Sequence, residues 1–206
     1  MIPFRRVAEP AGFSVKVSKP GNEWLQLNPM SKRPKALWTP YTAALSEGFG
    51  DLCGYAAMHD PTGGTVDHFL SYDRRRDLAY DWSNYRFASA TLNSSKKNAD
   101  DTVLDPYEVG DGWFEIILPS LQMQVTEAVP TEFKDKAKYT LTRLKLRDGE
   151  RIIRWRKSWY DMYLNGQLSL GGLRRVAPLL AAAVETQNVV ADNPKRPGGR
   201  RKPQIS

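Results

Sequence analysis

The sequence predicts an α+β chain, with short strands in its first half and helices in its second. Three observations carry that prediction. "TVDHFLS" (65–71) and "NYRFASA" (84–90) alternate apolar and polar residues, lie either side of a charged loop, and precede a helix start. "WFEIIL" and "LQMQVTE" flank "PS" and read as a hairpin. After Pro130, apolar residues recur at helical spacing, for example Phe133, Ala137, Leu141 and Leu144.

Taken in order, residues 1–36 are rich in Pro, Lys, Arg and Asn and read as an irregular basic arm. "WTPYTAALSEGFG" reads as a helix with Thr39 as its N-cap, Pro40 in its first position, and Gly48 or Gly50 at its end. "DPTGG" is a turn. The strand "TVDHFLS" then places Val66, His68 and Leu70 on one face and Asp67 and Phe69 on the other. "YDRRRD" is a charged loop. "TLNSSKKNADD" starts a short helix, because Thr91, Asn93 and Ser94 can all cap. The core with its following hairpin spans 37–125 and a helical region spans 131–190. Three helices fill that region, the third interrupted near Gly171 and Pro178. The Pro/Gly/basic tail, 191–206, reads as disordered.

At 206 residues and 41% hydrophobic content, the chain suits one domain with an appended helical lobe. A formal charge of +7 points to an anionic partner such as nucleic acid. One cysteine, Cys53, excludes an internal disulfide and a cysteine-based zinc site. No apolar run approaches about 18 residues and no signal-type leader is present, so a cytoplasmic protein with no membrane partner is expected. No Gly-rich phosphate loop appears.

Asp67 and His68 are neighbours on a strand, so their side chains point to opposite faces. At a strand end bordering a cleft they can still serve one site. A neutral imidazole can take a proton from water near pH 7. A carboxylate with an amide oxygen, from Asn93 if its helix packs on the strand, suits a hard ion such as Mg²⁺. An isolated Asp-His pair equally fits a structural histidine.

"VDHF" followed by "AYDWSNYRFASATLNSSKK" resembles the HNH endonucleases, a branch of the ββα-metal (His-Me finger) nucleases, in an HNN variant formed by His68, Asn84 and Asn93. The resemblance implies a ββα-metal core that hydrolyses phosphodiester bonds of DNA. His68 would be the general base, and Asp67 and Asn93 the ligands of one Mg²⁺ or Mn²⁺ ion. Asn84 would brace the loop and orient the histidine through backbone bonds. Lys96 or Lys97 would be a helix-borne phosphate contact, and Arg74, Arg75 and Arg76 of the loop would hold backbone phosphates. Each has another reading: Asn84 as a turn residue, Asn93 as an N-cap, the lysines as a solvated face, the arginines as partners of Asp73 and Asp77.

Many members of that family carry a structural zinc on two Cys-x-x-Cys pairs. Here only Cys53 remains of the first pair, and Ser89 and Leu92 stand at the second, so no structural zinc is expected. Apolar packing of Leu52, Tyr55, Phe87 and Leu92 would replace it. His59 reads as a residue of the surface turn. "VLDPYEVGDGWFEI" is similar to bacterial HNH proteins, some found beside ATPases in phage-defence loci, so the resemblance extends to an antiviral role with an ATPase or sensor protein as partner. The alternative is a non-catalytic nucleic-acid-binding or assembly subunit on an HNH-like scaffold. Farther on, Ile152, Trp155 and Trp159 fall on one helical stripe, next to a basic set of Arg151, Arg154, Arg156 and Lys157.

Overall fold

A computed structural model describes residues 1–192. The tail read as disordered lies, from residue 193 on, outside the described residues.

The first difference from the sequence reading is at the start. Residues 14–27 are helical, not irregular: one π-helical turn, Ser14–Ser18, runs into α1 (Lys19–Leu27). Phe13, Val17 and Gly21 recur four apart and are buried, packing the segment on Tyr80, Trp82 and Tyr85. Pro20-Gly21 looks like a turn signal in isolation. Pro20 instead occupies the first turn of α1, where its missing N–H costs little. Gly21 allows a close approach, since a Cβ there would lie 2.4 Å from the Tyr80 ring. The arm is therefore part of the core.

Thr39 does not cap a helix. It opens a 3₁₀ turn, Thr39–Tyr41, and its hydroxyl donates to the Ala36 carbonyl at 3.0 Å. Helix α2 follows as Thr42–Gly48 and buries Leu45.

Strands β1 (Thr65–His68) and β2 (Tyr85–Ala88) pair antiparallel, with Val66 opposite Phe87, Asp67 opposite Arg86 and His68 opposite Tyr85. Residues directly opposite share a face. Val66, Tyr85 and Phe87 pack with Phe13, Leu45 and Trp82. The other face carries Asp67 and Arg86. Both faces are covered, which is why nearly every strand residue is buried, polar ones included.

Helix α3 (Ala90–Lys96) leaves β2 after one residue. Its cap is Ser89, whose Oγ accepts the Leu92 N–H. The caps expected from Thr91, Asn93 and Ser94 are thus misplaced by two or more residues. Cys53 adds to this corner, because its Sγ accepts the Ser89 N–H at 3.2 Å. Tyr55 and Leu92 share an apolar cluster with Cys53, whereas Phe87 is buried in a separate cluster with Val66 and Tyr85, and Leu52 is buried as well.

Strands β3 (Phe114–Ile117) and β4 (Gln122–Val125) form the hairpin. Four helices follow rather than three: α4 (Thr131–Arg143), α5 (Glu150–Leu164), α6 (Leu170–Val176) and α7 (Pro178–Asp192). The break falls between Val176 and Pro178, while Gly171 lies inside α6. The hairpin, α3 and these helices share one apolar cluster, including Leu92, Leu104, Phe114, Met123, Leu141, Ile152 and Leu180.

Arg156, grouped by sequence with a basic helical face, is buried instead. Its guanidinium donates to the carbonyls of Leu121, Arg147 and Leu146, tying α5 to the hairpin turn and the α4–α5 connection. Burial lowers its pKa to about 10. Arg154 and Lys157 remain outside and pair with Glu150 and Asp161 one turn away on their own helix.

Candidate active site

The site is built where β1 ends, between the loop of residues 69–84 and α3. His68 is 8% exposed. Its ring meets Trp38, Tyr72 and Tyr85 edge-on, with centroids 4.6, 5.4 and 5.0 Å away. Its Nε2 lies 2.9 Å from the Ala79 carbonyl. A carbonyl only accepts, so Nε2 carries the proton and Nδ1 is the basic nitrogen. Nδ1 makes no hydrogen bond within the protein. Burial lowers the pKa of His68, against the Ala79 bond and the Asp67 charge, which raise it. The imidazole is neutral at pH 7.

Asn84 fixes the loop that holds this ring. Its Oδ1 accepts the Leu70 N–H at 2.8 Å, and its Nδ2 donates to the carbonyls of Leu70 and Leu78. Leu78 precedes Ala79, the residue that accepts from His68. One side chain thus clamps both ends of the long loop. Asp100 performs a similar service farther along, accepting from the backbone and hydroxyl of Ser71 at 2.7 and 3.1 Å.

Asp67 points to the opposite face and is 1% exposed. One carboxylate oxygen accepts the Tyr55 hydroxyl at 2.6 Å and the other accepts Lys96 Nζ at 3.1 Å. Burial, then the Asp67 charge, push the Tyr55 pKa well above its usual value, so the phenol stays the donor. Arg86, across the strand pair, does not contribute to Asp67. It makes a bidentate pair with Asp105 at 2.6 Å for both bonds and lies 4.0 Å from the Tyr107 ring centroid.

Lys96 is completely buried and cannot make the phosphate contact expected of it. Besides Asp67, its ammonium donates to the His68 and Phe69 carbonyls, both at 2.9 Å. Lys97, the next residue, ends the helix in the left-handed region (φ 51°) and is exposed. Asn93 sits inside α3, one turn before Lys96, and its Nδ2 donates to the Val66 carbonyl at 3.2 Å. Asn93 and Lys96 together stitch α3 to the backbone of β1.

The residues expected to hold a divalent ion do not fit one in this arrangement. Both oxygens of Asp67 are engaged, an ammonium lies against the carboxylate, and water has almost no access to it. Among the described residues no cluster of three His, Cys, Asp or Glu side chains could ligate a metal.

The arginine loop divides. Arg74 and Arg75 project, with side chains 60% and 50% exposed; Arg74 lies 3.6 Å from Asp100, and Arg75 pairs with Asp77 at 2.7 Å. Arg76 instead donates to the carbonyls of Ser31 and Asn28, just past the end of α1, and is a structural tie rather than a free phosphate ligand. His59 is likewise not in a surface turn. It is half-buried, its N–H bonds the Val176 carbonyl, and its carbonyl accepts Trp155 Nε1.

Sequence reasoning missed the roles of Tyr55, Arg86 and Asp105. Nothing local marks them, because their partners lie 12 to 19 residues away in the chain. Lys96 was legible in part: three residues after Asn93, it had to share that residue's helix face. Neither known protein families nor curated proteins match the chain. No helix among the described residues is long and apolar enough to cross a membrane.

Proposed function

We propose that the chain is an endonuclease of the ββα type that hydrolyses phosphodiester bonds of DNA in phage defence or restriction, alongside an ATPase or sensor protein. The observation that carries this reading is the state of His68. Its proton is parked on Nε2 by the Ala79 carbonyl, its ring is held by three aromatic neighbours, and Nδ1 is left without a protein partner. A positioned imidazole of this kind is a general base. The strand–loop–strand–helix order around it, with Asn84 clamping the loop, supports the same reading.

In the proposed reaction Nδ1 takes a proton from water, and the water oxygen forms a bond to phosphorus. The bond from phosphorus to the 3′ oxygen breaks, solvent protonates that oxygen, and the product carries a 5′-phosphate. Arg74, Arg75 and Lys97 supply exposed positive charge near the end of β1 for the flanking phosphates. Arg75 would exchange Asp77 for phosphate. No step runs through a divalent ion, since Asp67 is engaged elsewhere.

That same engagement favours a second reading, a non-catalytic nucleic-acid-binding or assembly subunit. Plasmid cleavage with and without Mg²⁺ or Mn²⁺, comparing wild type with His68→Ala, separates the two. Cleavage lost in His68→Ala with DNA binding retained is the expected result. Binding by the wild type without cleavage, in the presence of its partner, would leave the assembly role standing instead.

A further inference from the structure

The cation beside Asp67 is covalently part of the chain. Lys96 arrives from α3 with a fully buried stem, and each of its three ammonium protons has an acceptor: Asp67 Oδ1, the His68 carbonyl and the Phe69 carbonyl. The charge is matched by a single carboxylate. Tyr55 saturates the other oxygen, and Arg86 is committed to Asp105.

Lysine's three acceptors are oxygen atoms from one carboxylate and two backbone carbonyls. Carboxylate and carbonyl oxygens are the donor set that hard divalent cations prefer. A dication and an ammonium cannot share this space, because their repulsion in a medium poor in water is unscreened. Displacing the ammonium would also strand a buried charge.

We propose that Lys96 is a built-in replacement for a divalent ion at Asp67, and that it masks a latent cation site made of Asp67 and the His68 and Phe69 carbonyls. The wild-type protein then binds no divalent ion through Asp67. Removing the ammonium while leaving the oxygens in place creates a site. The inference does not rest on the hydrolase reading, because it is read out by ion binding and not by cleavage.

The test titrates Mn²⁺ into the full chain and follows binding by calorimetry and by the spin-resonance signal of free Mn²⁺. The proteins are wild type, Asp67→Asn, Lys96→Ala and the double variant Lys96→Ala/Asp67→Asn, with folding checked by circular dichroism. Wild type and Asp67→Asn should show the same weak background. Lys96→Ala should bind one Mn²⁺ at least about tenfold more tightly than wild type, a difference of about 1.4 kcal/mol. The gain should vanish in the double variant. A wild-type Mn²⁺ site that Asp67→Asn abolishes would overturn the proposal, as would a folded Lys96→Ala with no gain. If Lys96→Ala does not fold, Lys96→Met, which keeps a buried stem without the ammonium, takes its place, and the same gain or its absence decides.

Discussion

Removing the Asn84 amide should loosen the fold and the site together. Asn84→Ala deletes three hydrogen bonds, one to the Leu70 N–H and two to the carbonyls of Leu70 and Leu78. A net value of about 1 kcal/mol per bond gives a loss of about 3 kcal/mol. Leu70 and Leu78 are only half-buried, so water can satisfy part of what is lost, which keeps the figure below the sum of three full desolvation penalties. Urea denaturation of Asn84→Ala against wild type measures it, with an unchanged m-value as the check that both unfold alike. Asn84→Asp sharpens the logic. It preserves the acceptor for Leu70 but turns a carboxylate oxygen toward two carbonyls. It should be at least as destabilised as Asn84→Ala at pH 7 and recover toward wild type at acidic pH, where the protonated acid can donate again. Because the clamp sits beside Ala79, the proposed nuclease reading has both variants lose cleavage as well. A loss of stability below about 1 kcal/mol in Asn84→Ala would refute the claim that this side chain holds the loop.

Three further predictions concern charge, packing and protonation. Asp105→Asn leaves the buried Arg86 without its carboxylate and should cost about 3–5 kcal/mol in chemical denaturation, whereas replacing both residues with apolar ones of similar size should cost much less. Gly21→Ala drives a methyl group into the Tyr80 ring and should destabilise by about 1–3 kcal/mol; a neutral result in a melting experiment would mean α1 is not docked there. His68 has a folded pKa below 6.5, so as pH falls below 6.5 the unfolded chain takes up the proton first and stability declines. His68→Gln should lose that part of the decline in pH-dependent urea titrations, and under the proposed nuclease reading cleavage should rise with pH to a plateau whose midpoint lies below 6.5.

Much of the site was readable one residue at a time. Period-two alternation put Asp67 and His68 on opposite faces of a strand, and the strand register places Asp67 opposite Arg86 and His68 opposite Tyr85. The hairpin around Pro119 and the helical second half followed from period and turn chemistry. The N-terminal helix was not readable, because Pro20 and Gly21 carry a local turn signal whose meaning reverses once Tyr80 lies against them. Lys96 and Arg156 were read as surface charges for a comparable reason. A long basic side chain is almost always solvated, and only distant carbonyls and a carboxylate make burial affordable.

By itself, then, the sequence determined most of the segments that pair or coil, the N-terminal helix excepted, because hydrophobic period and turn residues act over a few neighbours. The tertiary structure alone decided which buried charges meet. Asp67 lies 29 residues from Lys96, and Arg86 lies 19 from Asp105. Nothing in either local stretch says that the two will share a dry interior, where an ion must find its partner or not be buried at all.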